Sequence, residues 1–211
     1  MDETECTVAA VETVGPDTVA IAFESPDGFD ARPGQFLKLT LTVDGDEESR
    51  FYTISSPTVQ PTFEITVEID PEGAVGPHVD DLDAGDSVRL SGPFGSDYYE
   101  DEDRVVVLAG GPGVGPAVGI AERALDDGGE AAVVYRDSQP VHRDRLAAIE
   151  DRGALVSILD DDEALTDAVA DALADGGQLF VYGFADFIDD ALAAVGAAGE
   201  DTDDAKIENF G

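Results

Sequence analysis

Cysteine is almost missing from this chain. Cys6 stands alone, so no disulfide forms within it, and an iron–sulfur cluster held by its own cysteines is excluded. His78 and His142 are the only histidines, too few for a histidine-rich metal site, and no metal is expected. Tryptophan is absent and methionine occurs once. Lysine is confined to Lys38 and Lys206, and 11 basic residues face 48 acidic ones, for a net charge of −37. Nucleic acids and anionic membranes are poor partners for such a surface. No apolar run approaches the roughly 20 residues that cross a bilayer. The opening MDETECTV lacks a basic, apolar leader, so the expectation is a soluble, cytoplasmic protein.

What remains is ample for folding. Hydrophobic residues make up 43% of the chain, which argues against disorder despite the charge. The acids run along the whole length and form no terminal tail. A solvated acidic shell over an ordinary core is the signature expected of a protein from a very salty cytoplasm. At ordinary salt that shell repels itself, whereas at molar salt the screening length falls to about 3 Å.

The 211 residues accommodate two small domains, and the pattern changes once along them. Residues 7–14, 18–24, 35–43, 50–57, 62–69 and 87–90 read as six short strands. They are separated by turns such as Gly15-Pro16-Asp17, Asp44-Gly45-Asp46 and Gly85-Asp86, with a short helix over 76–82. This predicts a six-stranded antiparallel β-barrel over residues 1–99. After the acidic linker 100–103, continuous apolar strands alternate with helices: 105–109, 131–135, 155–159, 179–182 and 205–210 against 117–125, 143–152, 162–174 and 185–198. That order predicts a doubly wound α/β domain with a parallel sheet over residues 104–211.

Two stretches carry chemistry. In the first, Arg50 to Pro57, side chains alternate, so Arg50 and Tyr52 share one face and Thr53 and Ser55 the other. A cation, a phenol and hydroxyls suit a ligand with a phosphate at one end and a flat ring at the other. Taken alone, the eight residues fit an ordinary edge strand better. The second stretch, Gly110-Gly111-Pro112-Gly113-Val114-Gly115-Pro116, follows a buried strand and opens a helix. In that position glycines let backbone approach a diphosphate, and the helix start offers free N–H groups. Arg136 ends the next strand, where it could meet an adenosine ribose or its 2′-phosphate. Arg143, Arg145 and Arg152 follow, Arg152 best read as paired on an exposed helix. Glu72 to His78 reads equally as a phosphate-binding nest or a plain connection. Neighbouring acids such as Asp80-Asp81 belong to the solvated shell.

In this order, the motifs resemble the ferredoxin–NADP reductase superfamily of flavin-dependent oxidoreductases, over nearly the whole chain from Pro33-Gly34-Gln35-Phe36 to Glu208-Asn209-Phe210-Gly211. The flavin motif Arg-x-Tyr-Ser/Thr is met by Arg50, Tyr52 and Thr53. The resemblance implies that Arg50 binds the flavin diphosphate, that Tyr52 packs on the flavin, and that Thr53 lies near its N5 atom. It extends the cofactor contacts to Ile54, Ser55, Val67 and Ile69. A second flavin segment matches Gly73, Ala74, Val75 and Gly76, with Gly76 where a hydroxyl residue is usual. Gly92-Pro93-Phe94-Gly95 matches the end of the barrel.

For the nucleotide, the same resemblance implies contacts by Gly111, Gly113, Val114, Gly115 and Pro116, with Pro112 replacing the usual Thr or Ser, and by Arg136, Gly183 and Phe184. Tyr182-Gly183-Phe184 stands where the family often has Cys-Gly-Pro. Glu208 and Phe210 match the C-terminal Glu-x-aromatic, with Phe210 covering the flavin ring; Thr53, Glu208 and Phe210 are the implied catalytic residues. The implied cofactors are FAD rather than FMN, with NADPH or NADH as co-substrate. The implied activity is hydride transfer from NAD(P)H to the flavin and electron transfer to a separate acceptor such as ferredoxin. No general base is needed. The alternatives are a flavin or ferric reductase using flavin as a substrate, and a non-catalytic flavin-binding subunit of an electron-transfer complex. A monomer is the expectation, though the sequence does not fix the oligomeric state.

Overall fold

The computed structural model describes residues 1–43 and 45–211; Asp44, in the expected hairpin tip 44–46, lies outside the described residues. The first half holds β1 (Thr4–Gly15), β2 (Thr18–Glu24), β3 (Phe36–Val43), β4 (Asp46–Thr53), β5 (Thr62–Glu68), the short helix α1 (Gly76–Asp80) and β6 (Ser87–Phe94). These six strands form one antiparallel sheet in the order β4-β3-β6-β1-β2-β5. The outermost strands meet beyond the end of β4 at a single bridge, Ile54 to Ile65, so the antiparallel sheet is formed, while its edges do not zip along a ladder as a closed barrel would require.

Alternation explains what the sheet buries. Phe63, Ile65 and Val67 of β5 pack with Ile21, Phe23, Leu37, Leu39 and Ile54 in one core. The intervening residues face elsewhere, and that choice of face decides the site described below.

The second half runs β7 (Arg104–Gly110), a 3₁₀ turn (Gly111–Gly113), α2 (Val114–Asp126), β8 (Glu130–Arg136), α3 (Arg143–Asp151), β9 (Leu155–Leu159), α4 (Thr166–Leu173), β10 (Gln178–Gly183), α5 (Ala185–Ala198) and β11 (Lys206–Asn209). The sheet is wholly parallel, ordered β11-β10-β7-β8-β9. Its central strands are buried on both faces, which is why they read as unbroken apolar runs. Val107, Val133 and Tyr135 pack with α2 and α3, whereas Val106, Val134 and Val181 pack with α4 and α5.

Helix α2 lies between the two sheets. It comes this close because two of its residues lack side chains. A Cβ on Gly115 would stand 3.1 Å from the Thr66 side chain, and one on Gly119 would stand 2.9 Å from the Ser55 carbonyl. The halves are then tied by polar contacts. From α3, Arg145 forks onto both carboxylate oxygens of Glu122 (2.8 and 2.7 Å), onto Glu64 (2.9 Å) and onto the Ser55 carbonyl (2.7 Å). The Ser55 hydroxyl donates to the same Glu64 carboxylate at 2.9 Å. Beside them, His142 Nε2 and the Thr66 hydroxyl share a hydrogen bond of 2.8 Å. A second tie meets the chain just before the linker: Tyr182 Oη donates to the Asp97 carbonyl at 2.6 Å, and Lys206 Nζ donates to the Tyr98 carbonyl at 2.7 Å.

Removing one partner of a buried, hydrogen-bonded ion network leaves the others uncompensated. Arg145→Ala strands Glu64 and Glu122 and is expected to cost about 3 kcal/mol of stability. Arg145→Lys keeps the charge but loses the fork, and should cost less. Urea unfolding of the three proteins side by side checks the order; equal stability of wild type and Arg145→Ala would refute the clamp.

Candidate active-site cleft

A cleft of about 460 Å³ opens where the antiparallel half meets the glycine turn of the parallel half. Its walls are Phe51, Tyr52 and Thr53 from β4, Thr66 and Glu68 from β5, Asp70 just beyond, Pro112 and Pro116 from the glycine turn and the start of α2, and Phe184 and Phe210 from the carboxyl end of the parallel sheet. Three segments far apart in sequence thus converge, as expected of a ligand site where strands of an open sheet end.

Several expected residues are here. Thr53 lies nearly buried in the wall, paired with Phe36 across the β3–β4 ladder. Tyr52 is half-buried against the first core, and burial pushes its phenol above the ordinary value, with Arg50 opposing. Phe210 packs edge-on against Phe184, the ring centroids 6.2 Å apart at 89°, and its N–H donates to the Gly183 carbonyl at 3.1 Å. Phe184 is 50% exposed, and Phe51, missed in the sequence reading, is 63% exposed, so large apolar faces line a space open to solvent.

Other expected residues are placed differently. Arg50 points outward, donating to the Ser49 carbonyl at 2.8 Å with Glu48 3.4 Å away, and lies outside the cleft lining. Ile54 is fully buried in the first core. Ser55 is spent on Glu64 and Arg145 at the seam between the halves. Val67 and Ile69 also belong to that core; strand alternation turns Thr66, Glu68 and Asp70 into the cleft instead. The period of 2 already visible in 62–69 contained that answer.

The glycine-rich segments divide in the same way. Gly111 adopts φ 55° and borders open space, so its glycine serves backbone conformation. Gly113, Val114 and Gly115 are buried: a Cβ on Gly113 would fall onto the Tyr182 carbonyl, and Gly115 faces Thr66. Their glycines serve close packing, while Gly111 and Pro112 are half-exposed and Pro116, though buried, lines the cleft. Gly183 is buried against Phe187. Arg136 faces away from the turn: its guanidinium pairs with Asp190 at 2.9 Å and sits 5.3 Å over the Phe187 ring. Val134 and Arg136 share the α4–α5 side of β8, opposite Tyr135, so the alternation of the strand sends this arginine to the wrong face for the expected contact.

Gly73 to Gly76 follow Asp70 at the rim. Asp70 organises them, its carbonyl accepting from the Gly73 N–H at 3.1 Å and its carboxylate from the Glu72 N–H at 2.9 Å. Val75 is buried in the first core and Ala74 is exposed. A Cβ on Gly76 would fall onto the Asp70 carbonyl, which explains why no hydroxyl residue stands there.

Glu208 pairs in register with Tyr182 and is half-buried, its carboxyl pushed up to about 7 by desolvation and then by Asp97. His142 is buried, and desolvation, then Arg145, brings it down to about 4, so it is neutral at ordinary pH. Among the described residues no cluster of three or more metal-ligating side chains occurs, and no helix is long and apolar enough to cross a membrane.

Against known proteins, residues 5–99 match the family model of the oxidoreductase FAD-binding domain. The chain is 34% identical over 160 residues to a stachydrine N-demethylase reductase subunit of Rhizobium meliloti, covering 70% of this chain and 44% of that one. It is 33% identical over 143 residues to a glycine betaine monooxygenase reductase subunit of Chromohalobacter salexigens, covering 66% and 39%. The chain thus spans less than half the length of these relatives. Among solved structures, the FAD/NAD-binding domain of nitric oxide dioxygenase from Vibrio cholerae superposes with a TM-score of 0.86 at 21% identity, covering 100% of both chains. A ferredoxin NADP+ reductase from Neisseria gonorrhoeae with bound FAD and NADP superposes at 0.84 and 18%, also covering 100% of both. Residues 5–99 are thus similar to an oxidoreductase FAD-binding domain, and the whole chain shares the two-domain fold of these FAD- and nucleotide-binding structures.

Two expected outcomes follow from the geometry. Gly76→Ser places an atom on the Asp70 carbonyl and should lower the thermal midpoint by several degrees, corresponding to about 1–3 kcal/mol of overpacking; it should not tighten phosphate or flavin binding. Glu208 has a folded value raised from 4.5, so its stabilisation is full below about 4.5 and is lost as pH rises through about 7. His142 acts oppositely, its contribution present above about 6.5 and lost as pH falls through about 4. The two partly cancel in the wild-type profile, and Glu208→Gln separates them. The variant should gain on wild type between pH 4.5 and 8, by on the order of 1–2 kcal/mol once partial exposure is allowed for. Parallel denaturation curves at pH 4.5 and 8 measure that difference; a constant offset would contradict the assignment.

Proposed function

We propose that this protein is an NAD(P)H-dependent flavoprotein reductase that passes electrons to an acceptor outside these 211 residues. The observation that carries the reading is the convergence of Thr53, Tyr52 and Phe210 on one cleft that also receives the glycine turn after β7. On this reading residues 1–99 hold the flavin and residues 104–211 the nicotinamide nucleotide.

The donor set suits FAD. Aromatic side chains at Phe51, Tyr52, Phe184 and Phe210 match a flat ring, and the Thr53 hydroxyl supplies one polar contact at its edge. The exposed Arg50 guanidinium and the backbone of Gly73 to Gly76 match a diphosphate at the rim, Arg50 needing to turn from its weak Glu48 partner. When bound, FAD supplies the hydride-accepting and electron-passing chemistry. The chain's own residues bind, orient and exclude water. Thr53 is nearly buried and so holds one hydroxyl in a fixed place. Phe210 covers the cleft from the far end of the chain and must yield when a nicotinamide ring enters. Glu208, with its raised value, keeps a part-protonated carboxyl near the ladder end that carries Phe210.

The acceptor is proposed to be a redox protein of the ferredoxin class. The two reductase-subunit relatives support an acceptor on a separate subunit: one is named as the reductase subunit of an N-demethylase and the other as that of a monooxygenase. The net charge of −37 supports a working environment of molar salt, where repulsion between acidic partners is screened, and a cytoplasmic location agrees with that environment.

Purified in molar KCl and supplied with FAD, the protein is expected to take up one flavin and to lose its flavin absorbance on anaerobic addition of NADH or NADPH. Arg50→Ala should weaken FAD binding by at least about tenfold, the usual scale for a charge-assisted contact to phosphate. A preparation that binds no flavin sinks the reading. One that binds flavin yet bleaches with neither nucleotide points to a non-catalytic flavin-binding subunit.

A further inference from the structure

Beside the cleft, on the far side of Pro112, lies a smaller cavity of about 160 Å³. Its walls include Gly111, Pro112, Asp137 and Ser138 from the parallel half, and Asp17 and Glu68 from the antiparallel half. The β7–β8 register sets Gly110 beside Arg136, so Gly111 and Asp137 leave the sheet side by side at the carboxyl ends of adjacent strands. In doubly wound sheets that is where the phosphate turn and the ribose-reading residue of a bound dinucleotide stand.

Asp137 is built to be read. Its Oδ2 accepts from Tyr135 Oη at 3.0 Å and its Oδ1 from the Gln139 N–H at 2.7 Å. Each oxygen therefore has one anchor and acceptor capacity to spare. The Tyr135 phenol is pushed far above its ordinary value, by burial first, then by Asp137, with Glu68 adding at longer range, so both carboxylates act on the same space. Among the described residues no cation lines this cavity or pairs with Asp137. Arg136 is committed to Asp190 on the opposite face of the sheet. Arg143 lines a separate cavity with Glu12, Glu64 and Asp144.

Resting on the reductase reading above, we infer that Asp137, backed by Glu68 and Asp17, makes this protein select NADH and reject NADPH. A ribose with free 2′- and 3′-hydroxyls donates to the spare acceptor positions of Asp137. A 2′-phosphate brings only acceptors and further negative charge against carboxylates that have no cation to offset them. The long-range repulsion of the acidic surface acts on both nucleotides and is removed by molar salt, whereas discrimination by direct contact survives it.

The test uses the whole chain in about 2 M KCl, where the screening length is below about 3 Å. Calorimetry measures binding of ADP-ribose and of its 2′-phosphate, probes that need no flavin turnover, and anaerobic flavin reduction by NADH and NADPH is followed in parallel. Wild type is expected to bind ADP-ribose on the order of 100-fold more tightly, the scale of like-charge juxtaposition at a contact. Asp137→Ser should shrink that ratio below about tenfold by weakening the first probe and strengthening the second, and the exposed Glu68→Gln should shrink it less. Equal affinities in wild type overturn the inference, as does a ratio unchanged in both variants, or binding of neither probe. Selective probe binding without any flavin bleaching upholds the inference and defeats the reductase reading instead.

Discussion

The fork of Arg145 is the contact on which the site depends. It reaches from α3 across the seam to the Ser55 carbonyl and to Glu64, while holding Glu122 of α2. Ser55 comes two residues after Thr53 and Glu64 two residues before Thr66, both in the cleft wall. One guanidinium thus sets where the wall of the antiparallel half stands relative to the helix that begins at the glycine turn. Gly115 and Gly119 make the approach sterically possible, and Arg145 gives it a direction. Hydrophobic contact alone would leave the two sheets freer to slide, because burial is not directional. A planar fork with several fixed acceptors is.

The shortage of cations gives this arrangement its second consequence. Of the chain's 11 basic residues, Arg32, Arg50, Arg89, Arg104, Arg123, Arg136, Arg145, Arg152 and Lys206 all form ion pairs among the described residues. Most are surface pairs that add little to stability individually. Their effect on the site is larger, because among the described residues no lysine or arginine is left to line the cleft or the cavity beside it. The cleft and its neighbouring cavity are walled by Glu68, Asp70, Asp17 and Asp137, which no lysine or arginine there offsets. In a cleft with so many acids, a ligand carrying negative charge meets favourable partners only in backbone N–H groups and in hydroxyls that donate to carboxylates, and on the proposed reading the glycine turn and Asp137 present that chemistry.

Much of the fold was legible because it is local. The period of 2 in residues 62–69, the apolar runs at 105–109 and 179–182, and the helices between them follow from side-chain alternation and burial. The glycine turn was legible from its place between a buried strand and a helix. What escaped were matters of face and partner. Val67 and Ile69 were expected at the cofactor, yet the same alternation that marks the strand puts them in the core and Thr66 and Glu68 in the cleft wall. Arg136 was expected at the nucleotide, but the strand turns it toward Phe187. The Arg145–Glu64 pair joins residues 81 positions apart, and no local pattern announces which acid an arginine will meet in a chain with 48 of them. Closure of the first sheet was likewise beyond pattern: turn spacing suggests a barrel, but register at the edges decides it, and among the described residues the edges meet at the bridge between Ile54 and Ile65.

Tyr182 gathers these threads. It occupies the position where the superfamily resemblance calls for cysteine, and its fully buried ring carries the hydroxyl to the Asp97 carbonyl at 2.6 Å. Its ring lies outside the cleft lining, and its hydroxyl reaches the Asp97 carbonyl just before the linker. Gly34 is the enabling residue, since a Cβ there would lie 2.6 Å from the Tyr182 hydroxyl. The ring then stacks near Phe180 and stands 6.5 Å from Phe210, which in turn meets Phe184. The substitution therefore exchanges a reactive group for support. It ties β10 to the end of the antiparallel half at Asp97 and backs Phe210, which lines the cleft. On the proposed reading, activity rests on orientation by Thr53 and Phe210 with no thiol at this position, and hydride transfer is a reaction that orientation can serve.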